Sequence, residues 1–219
     1  MPNITLPIDP VFGHLIPYLN GIKHRRPVLV EIGVHHAQST PMLWLACARP
    51  PIWYGFEPDP RNLEVLDSMG VTVYDCAVSD QDGCAEMRLS SGTTPGTVDR
   101  EHTDSSSLNE PTKHLEAHPW CKFERTEMVE TKRLDGVVSH ERVFDLIWCD
   151  VQGAQRKVIS GARETLAKTR MLYIEVHPEP MYEDEPTFEE LLQLLPGWEV
   201  VERYPADVLL HNPAAEALG

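Results

Sequence analysis

The sequence is short of positive charge: 19 Lys and Arg stand against 34 Asp and Glu in 219 residues, a formal net charge of −15 at pH 7. Holding nucleic acid through its backbone takes clustered cations that neutralise phosphates, so a nucleic-acid partner is not expected. Cysteine is sparse too. The residues at 47, 76, 84, 121 and 149 are odd in number, form no C-x-x-C pair and lack zinc-like spacing, which points to free thiols in a reducing compartment. No apolar run approaches the ~20 residues of a membrane-spanning helix. The chain does not open on a basic segment followed by an apolar one. A cytoplasmic protein without a membrane span is the expectation, with its oligomeric state left open.

What is present is ordinary globular material, 42% apolar and 24% charged, long enough for one sizeable core; a single domain over 1–219 is expected. Apolar runs alternate with helical stretches. "VLVEI" (28–32) leads to "STPMLWLACA", where Ser39 or Thr40 can cap and Pro41 suits the first turn. "IWYGFE" (52–57) leads to "DPRNLEVLDSMG", with Asp59 as cap and Gly70 as stop. "VTVYDCAV" (71–78) reads as a third strand, "VFDLIWCD" (143–150) as a fourth and "MLYIEVH" (171–177) as a fifth, followed by a helix opening with the capping box of Thr187 and Glu190. Continuous apolar strands alternating with helices imply an α/β, Rossmann-like, doubly wound and mostly parallel sheet. The tail, "WEVVERY", Pro205, Ala206 and "DVLLHN", reads as an antiparallel hairpin that ends it. Residues 91–127 are polar and irregular, too long for a structureless connection, and read as a partly ordered lid or substrate loop. Trp44, Trp53 and Trp148 read as core; His102, His114 and His118 read as solvated surface.

In such sheets ligands bind beyond the carboxyl ends of the strands. The residues there are Glu31 and Gly33, Glu57, Asp75, Asp150, and Glu175 with His177. Gly33 permits a sharp turn and close approach of a ligand to the backbone. A dinucleotide fold would continue as G-x-G-x-x-G to meet a pyrophosphate, but the second and third glycine positions are His35 and Gln38. An adenosine ligand without phosphates, such as S-adenosylmethionine, fits better. Glu57, 24 residues beyond Gly33 at the next strand end, suits a carboxylate that accepts both ribose hydroxyls. Val34, Ser39 and Pro58 flank these positions and are donor-binding candidates with them. His177, two residues beyond Glu175 and so on the same side of an extended strand, is the candidate general base, with Asp150 second. No metal is assigned; a divalent ion at Asp150, Glu175 and His177 is the disfavoured alternative.

"VEIGVHHAQST", "GFEPDPRNLEVL", "CAVSDQDG", "SSSL", "VETKRLD", "FDLIWCDVQGAQRKVISGA" and "LYIEVH" occur in an order that resembles the FkbM-type methyltransferases, a branch of the class I S-adenosylmethionine-dependent fold. The resemblance implies that Asp75, Cys76 and Ala77 line the adenine, that Asp150 faces the methionine end of the donor, and that Ser106 and Ser107 close over the site. It also implies an O-methyltransferase acting on a hydroxyl of a sugar, glycan or secondary metabolite. The chain departs from the family pattern at Val34-His35-His36-Ala37, and at Gln152 and Gln155, where the family often carries glutamates; His35 stands where the family has asparagine. The rival expectations are an NAD-dependent oxidoreductase, in which Glu57 would serve equally well, and a catalytically degenerate binding module.

Overall fold

The computed structural model describes residues 9–97 and 101–218. In chain order the elements are α1 (Phe12–Gly21), β1 (Val28–Ile32), α2 (Thr40–Leu45), β2 (Ile52–Phe56), α3 (Pro60–Ser68), β3 (Ala77–Val78), β4 (Gly83–Gly92), α4 (Lys113–Ala117), β5 (Cys121–Lys132), α5 (Leu134–Val137), β6 (Phe144–Cys149), α6 (Gln155–Gly161), α7 (Arg163–Ala167), β7 (Thr169–Glu175), α8 (Phe188–Leu194), β8 (Glu199–Arg203) and β9 (Asp207–His211), followed by a 3-10 helix, Pro213–Leu218.

Every residue of β1 and β6 is buried, as expected of strands covered on both faces. The main sheet has the order β2-β1-β6-β7-β9-β8; β2, β1, β6 and β7 run parallel, and β9 runs antiparallel to both β7 and β8. The alternation of side chains along β1 splits the core. Val28, Val30 and Ile32 join Phe56, Ile147 and Ile174 on one face, while Leu29 joins Leu146, Trp148 and Tyr173 under Leu15 and Leu19 of α1 on the other. Asp59 caps α3 by accepting from the Arg61 amide at 3.0 Å, with Pro60 in the first turn, and the Thr187–Glu190 capping box of α8 is formed. Chain direction away from the sheet centre reverses between β1 and β6, so the crevice beyond their carboxyl ends is the natural ligand position.

Three sequence expectations are corrected. The run 71–78 is not a third strand of the main sheet: Val71 and Val73 pack beside Leu66, Tyr74 makes a single bridge to Phe56, and only Ala77–Val78 is strand, paired with β5. Together with the antiparallel ribbon of β4 and β5 it forms a separate three-stranded sheet, order β3-β5-β4. The polar stretch 91–127 is thus partly regular, holding the end of β4, all of α4 and the start of β5. Among the tryptophans, Trp148 is core but Trp44 is 46% exposed, and among the histidines His114 is buried. No helix of the described residues is long and apolar enough to cross a membrane.

Candidate active site

The loop after β1 turns at Gly33, whose φ is +83° and where a Cβ would stand 1.9 Å from the carbonyl oxygen of Asp150. No other residue allows β1 and β6 to end this close together. The turn then continues through positive φ at His35 (+51°) and Ala37 (+55°), conformations usually left to glycine. Its amides face inward to protein: those of Gly33 and Val34 donate to the Phe56 carbonyl (2.9 and 3.1 Å), that of Ala37 to Val34 (2.9 Å), and that of His35 to Glu57 Oε2 (2.7 Å). A phosphate cradle needs such amides free. Here three of them are spent on backbone carbonyls and the fourth, that of His35, holds the Glu57 carboxylate.

Glu57 lies buried at the end of β2. Besides the His35 amide it accepts from the Asp59 amide (2.9 Å) and Asn62 Nδ2 (3.2 Å), both on Oε1. Burial pushes its pKa up, against the pull of these bonds. Three donors leave lone pairs of a carboxylate unfilled, and Glu57 and Pro58 line a cavity beyond the strand ends. An apolar wall of Phe56, Cys76, Ala77, Val78, Met87 and Leu108 faces a second, polar side of Gly33, His35, Thr103, Asp104 and Asp150. No Lys or Arg stands among the described lining residues.

The segment 103–108 covers the cavity. Ser106 Oγ donates to Asp59 Oδ2 (2.9 Å), Ser107 Oγ donates to the Gln152 carbonyl (2.6 Å), and His35 Nε2 lies 2.8 Å from Thr103 Oγ1 and 2.9 Å from Asp104 Oδ1. Arg61 fastens the segment from α3, donating to Asp59, to the Ser90 carbonyl (2.8 Å) and to Ser106 Oγ (3.1 Å).

Beyond the cavity, Asp150 and Glu175 end neighbouring strands, and Gln152 Nε2 donates to both, at 2.7 and 3.0 Å. Desolvation raises the pKa of each, that of Glu175 well above the carboxylate range, with Asp150 adding to it and Gln152 working against it. His177 lies beside them, Nε2 3.5 Å from Glu175 Oε1. Its Nδ1 is 2.7 Å from Oε1 of Glu185, a side chain that carries no signal in the sequence. Burial acts to raise Glu185, but bonds from His177 and from the Met181 and Tyr182 amides outweigh it and hold it below its ordinary value. Glu185 is therefore an ionised acceptor, and the ring proton sits on Nδ1. The other ring nitrogen, Nε2, faces Glu175.

The cavity thus brings together Gly33, His35, Glu57, Pro58, Cys76, Ala77, Ser106, Ser107 and Asp150. Other expected residues stand outside its wall. Glu31, alternating with Ile32, points to the opposite face, where Oε2 accepts from Thr40 Oγ1 (2.8 Å) and Trp53 Nε1 (2.9 Å); burial pushes its pKa up to about 7. Val34 packs on Ala37 and Leu66, Ser39 is the N-cap residue of α2, and Asp75 is exposed one position before the wall begins. Glu175 and His177 reach the cavity only through Gln152. Asn62 and Thr103, like Glu185, are each one polar residue among many in the sequence, and nothing local marks them. Among the described residues no group of three or more His, Cys, Asp or Glu is arranged to hold a metal ion.

The sequence profile of the Methyltransferase FkbM domain matches residues 22–204. The 2-O-methyltransferase NoeI of Sinorhizobium fredii (strain NBRC 101917 / NGR234) is 36% identical over 199 residues, 85% of this chain and 79% of that protein. The crystal structure of Methyltransferase FkbM from Methylobacillus flagellatus KT superposes with a TM-score of 0.54 at 14% identity, over 87% of this chain and 45% of that one. This chain spans under half of that structure, and the likeness is one of fold. A crevice that holds a carboxylate where a phosphate cradle would stand agrees with a profile matched from the first strand to the last helix and beyond: the chain belongs to the FkbM methyltransferase family and is a methyltransferase.

Proposed function

We propose that this methyltransferase uses S-adenosylmethionine to methylate a hydroxyl of a sugar, glycan or secondary metabolite. The observation that carries the donor is Glu57, a buried carboxylate with three protein donors and open lone pairs toward the cavity. It suits the paired hydroxyls of a ribose. The apolar wall of Cys76, Ala77, Val78 and Met87 suits a flat base, and Asp150 suits an ammonium. When bound, the donor supplies a methyl group on a sulfonium, already a good leaving group. The engaged loop amides and the absence of Lys and Arg from the described wall argue against the pyrophosphate of NAD. The same lack of cations favours an uncharged acceptor over nucleic acid.

The chain's own task is to place the acceptor hydroxyl and remove its proton. His177 is suited to take that proton at Nε2, because Glu185 holds the ring by its Nδ1 proton. The imidazolium formed would lie against Glu185, an ionised carboxylate that favours it. O-methylation rests on the activity named for the relative NoeI, a 2-O-methyltransferase, and on this base.

The test is transfer of labelled methyl from S-adenosylmethionine to neutral glycans and glycosides. Wild type should yield a product heavier by one methyl; His177→Ala should lower turnover by roughly 10²- to 10⁴-fold, the ordinary worth of a positioned base, with donor affinity little changed. Full turnover by the variant removes His177 as base. A protein that binds S-adenosylhomocysteine but transfers to nothing would be a binding module.

A further inference from the structure

Asp150 follows β6 and Glu175 ends β7, and these strands pair in parallel with Cys149 opposite Ile174. Their carboxylates are therefore delivered to one edge of the sheet by the register itself. Two carboxyl groups brought together in this way need something between them: a shared proton, a cation or an N–H donor. What stands between them is the Gln152 amide, whose Nε2 lies 2.7 Å from Asp150 Oδ1 and 3.0 Å from Glu175 Oε1. Tyr182 Oη lies 3.1 Å from Gln152 Oε1 and 2.9 Å from the Ser105 carbonyl oxygen, and shares its one proton between these two acceptors. The Gln152 backbone is fixed as well. Gln152 has φ +50°, unusual for a residue with a side chain, its carbonyl accepts from Ser107 Oγ at 2.6 Å, and a Cβ on the following Gly153 would meet the Tyr182 Cβ at 2.4 Å.

We infer that Gln152 is a positioning residue whose amide, one N–H to each, keeps the Asp150 and Glu175 carboxyl groups side by side and so ties the donor end of the site to the Glu175–His177–Glu185 group. This rests on the proposed donor and base. A glutamate at 152 would set a second acceptor before the pair, and only a proton or cation could then join them. The other charged or titratable groups facing the pair are His35 and Asp104 from the loop after β1 and the covering segment, His177 and Glu185 after β7, Tyr182, and Asp207 at the start of β9. Burial raises both carboxylates, and the Gln152 hydrogen bond acts downward on each, the direction the inference requires.

The experiment is calorimetric titration of S-adenosylhomocysteine from about pH 5.5 to about pH 8.5, on wild type and Gln152→Glu. If Asp150 must be ionised to meet the ligand's ammonium, its affinity in wild type falls toward the acid end. In Gln152→Glu that fall should begin at least about one pH unit higher, a deficit of about tenfold near pH 6 that narrows toward pH 8.5. Tyr182→Phe, which takes the hydroxyl away from both Gln152 Oε1 and the Ser105 carbonyl, should shift the profile in the same direction by less, and covers the case in which Gln152→Glu does not fold. An affinity deficit equal at every pH would reduce Gln152 to a structural role and overturn the inference. An unshifted profile with a binding wild type would overturn it too, leaving the donor reading intact. Absence of binding by wild type would overturn the donor reading itself, and the inference with it.

Discussion

A methyl group on Gly33 would stand 1.9 Å from the Asp150 carbonyl, in a backbone region that side chains avoid. Gly33→Ala should therefore separate the ends of β1 and β6, cost about 2 kcal/mol or more in stability and abolish S-adenosylhomocysteine binding. Chemical denaturation and calorimetry check both; a variant that binds normally would show that the close approach is not what forms the crevice. Gly33 and Glu57 are legible in the sequence because strand-end positions in a doubly wound sheet are predictable from the apolar runs that precede them. His35 is legible only in part. The lack of glycine there speaks against a phosphate, yet the glycine-like φ of +51° persists, stabilised by contacts with Thr103 and Asp104 that no local pattern announces. Glu31 misleads for a different reason. Its place just ahead of Gly33 suggests the ligand, but alternation along β1 sends it to Thr40 and Trp53 on the other face.

At the scale of elements, the strands buried on both sides declare themselves by continuous apolar runs, and the terminal hairpin by its Pro-Ala turn. The β4–β5 ribbon does not. Its strands are largely exposed, Glu124 to Met128 continuously so, and their pairing is held by backbone hydrogen bonds that leave no mark on composition. The covering segment between them depends on side chains of α3. Arg61 reaches Asp59, Ser90 and Ser106 at once, each a charge-assisted bond. Arg61→Ala should loosen residues 102–108, raising their amide exchange by about tenfold or more, and weaken donor-product binding. Hydrogen exchange by mass spectrometry reads this directly; unchanged protection would mean that the segment's other contacts, with His35, Asp59 and Gln152, hold it without Arg61.

Over the whole molecule the acids outnumber the bases, and some are buried beyond easy ionisation. Burial pushes Glu31 and Asp207 each up to about 7. The folded chain then binds more protons than the unfolded one between roughly pH 4.5 and 7, so their contribution to stability is greatest in acid and is lost as pH rises through that window. Glu31→Gln removes one such group, worth at most roughly 3 kcal/mol at full ionisation. The melting temperature of the variant relative to wild type should accordingly improve from pH 5 to pH 8, and a constant difference would contradict the raised pKa.

The central claim is that the carboxylate at the end of β2 receives the nucleoside of a methyl donor. Calorimetry of S-adenosylhomocysteine against wild type and Glu57→Gln, with NADH as the competing ligand, measures it most directly. The substitution would turn an amide N–H toward the His35, Asp59 and Asn62 donors and remove an acceptor for the ribose, so affinity should fall by about tenfold to a hundredfold, with no heat from NADH in either protein. Equal affinity in the two proteins, or micromolar binding of NADH by wild type, would contradict the account.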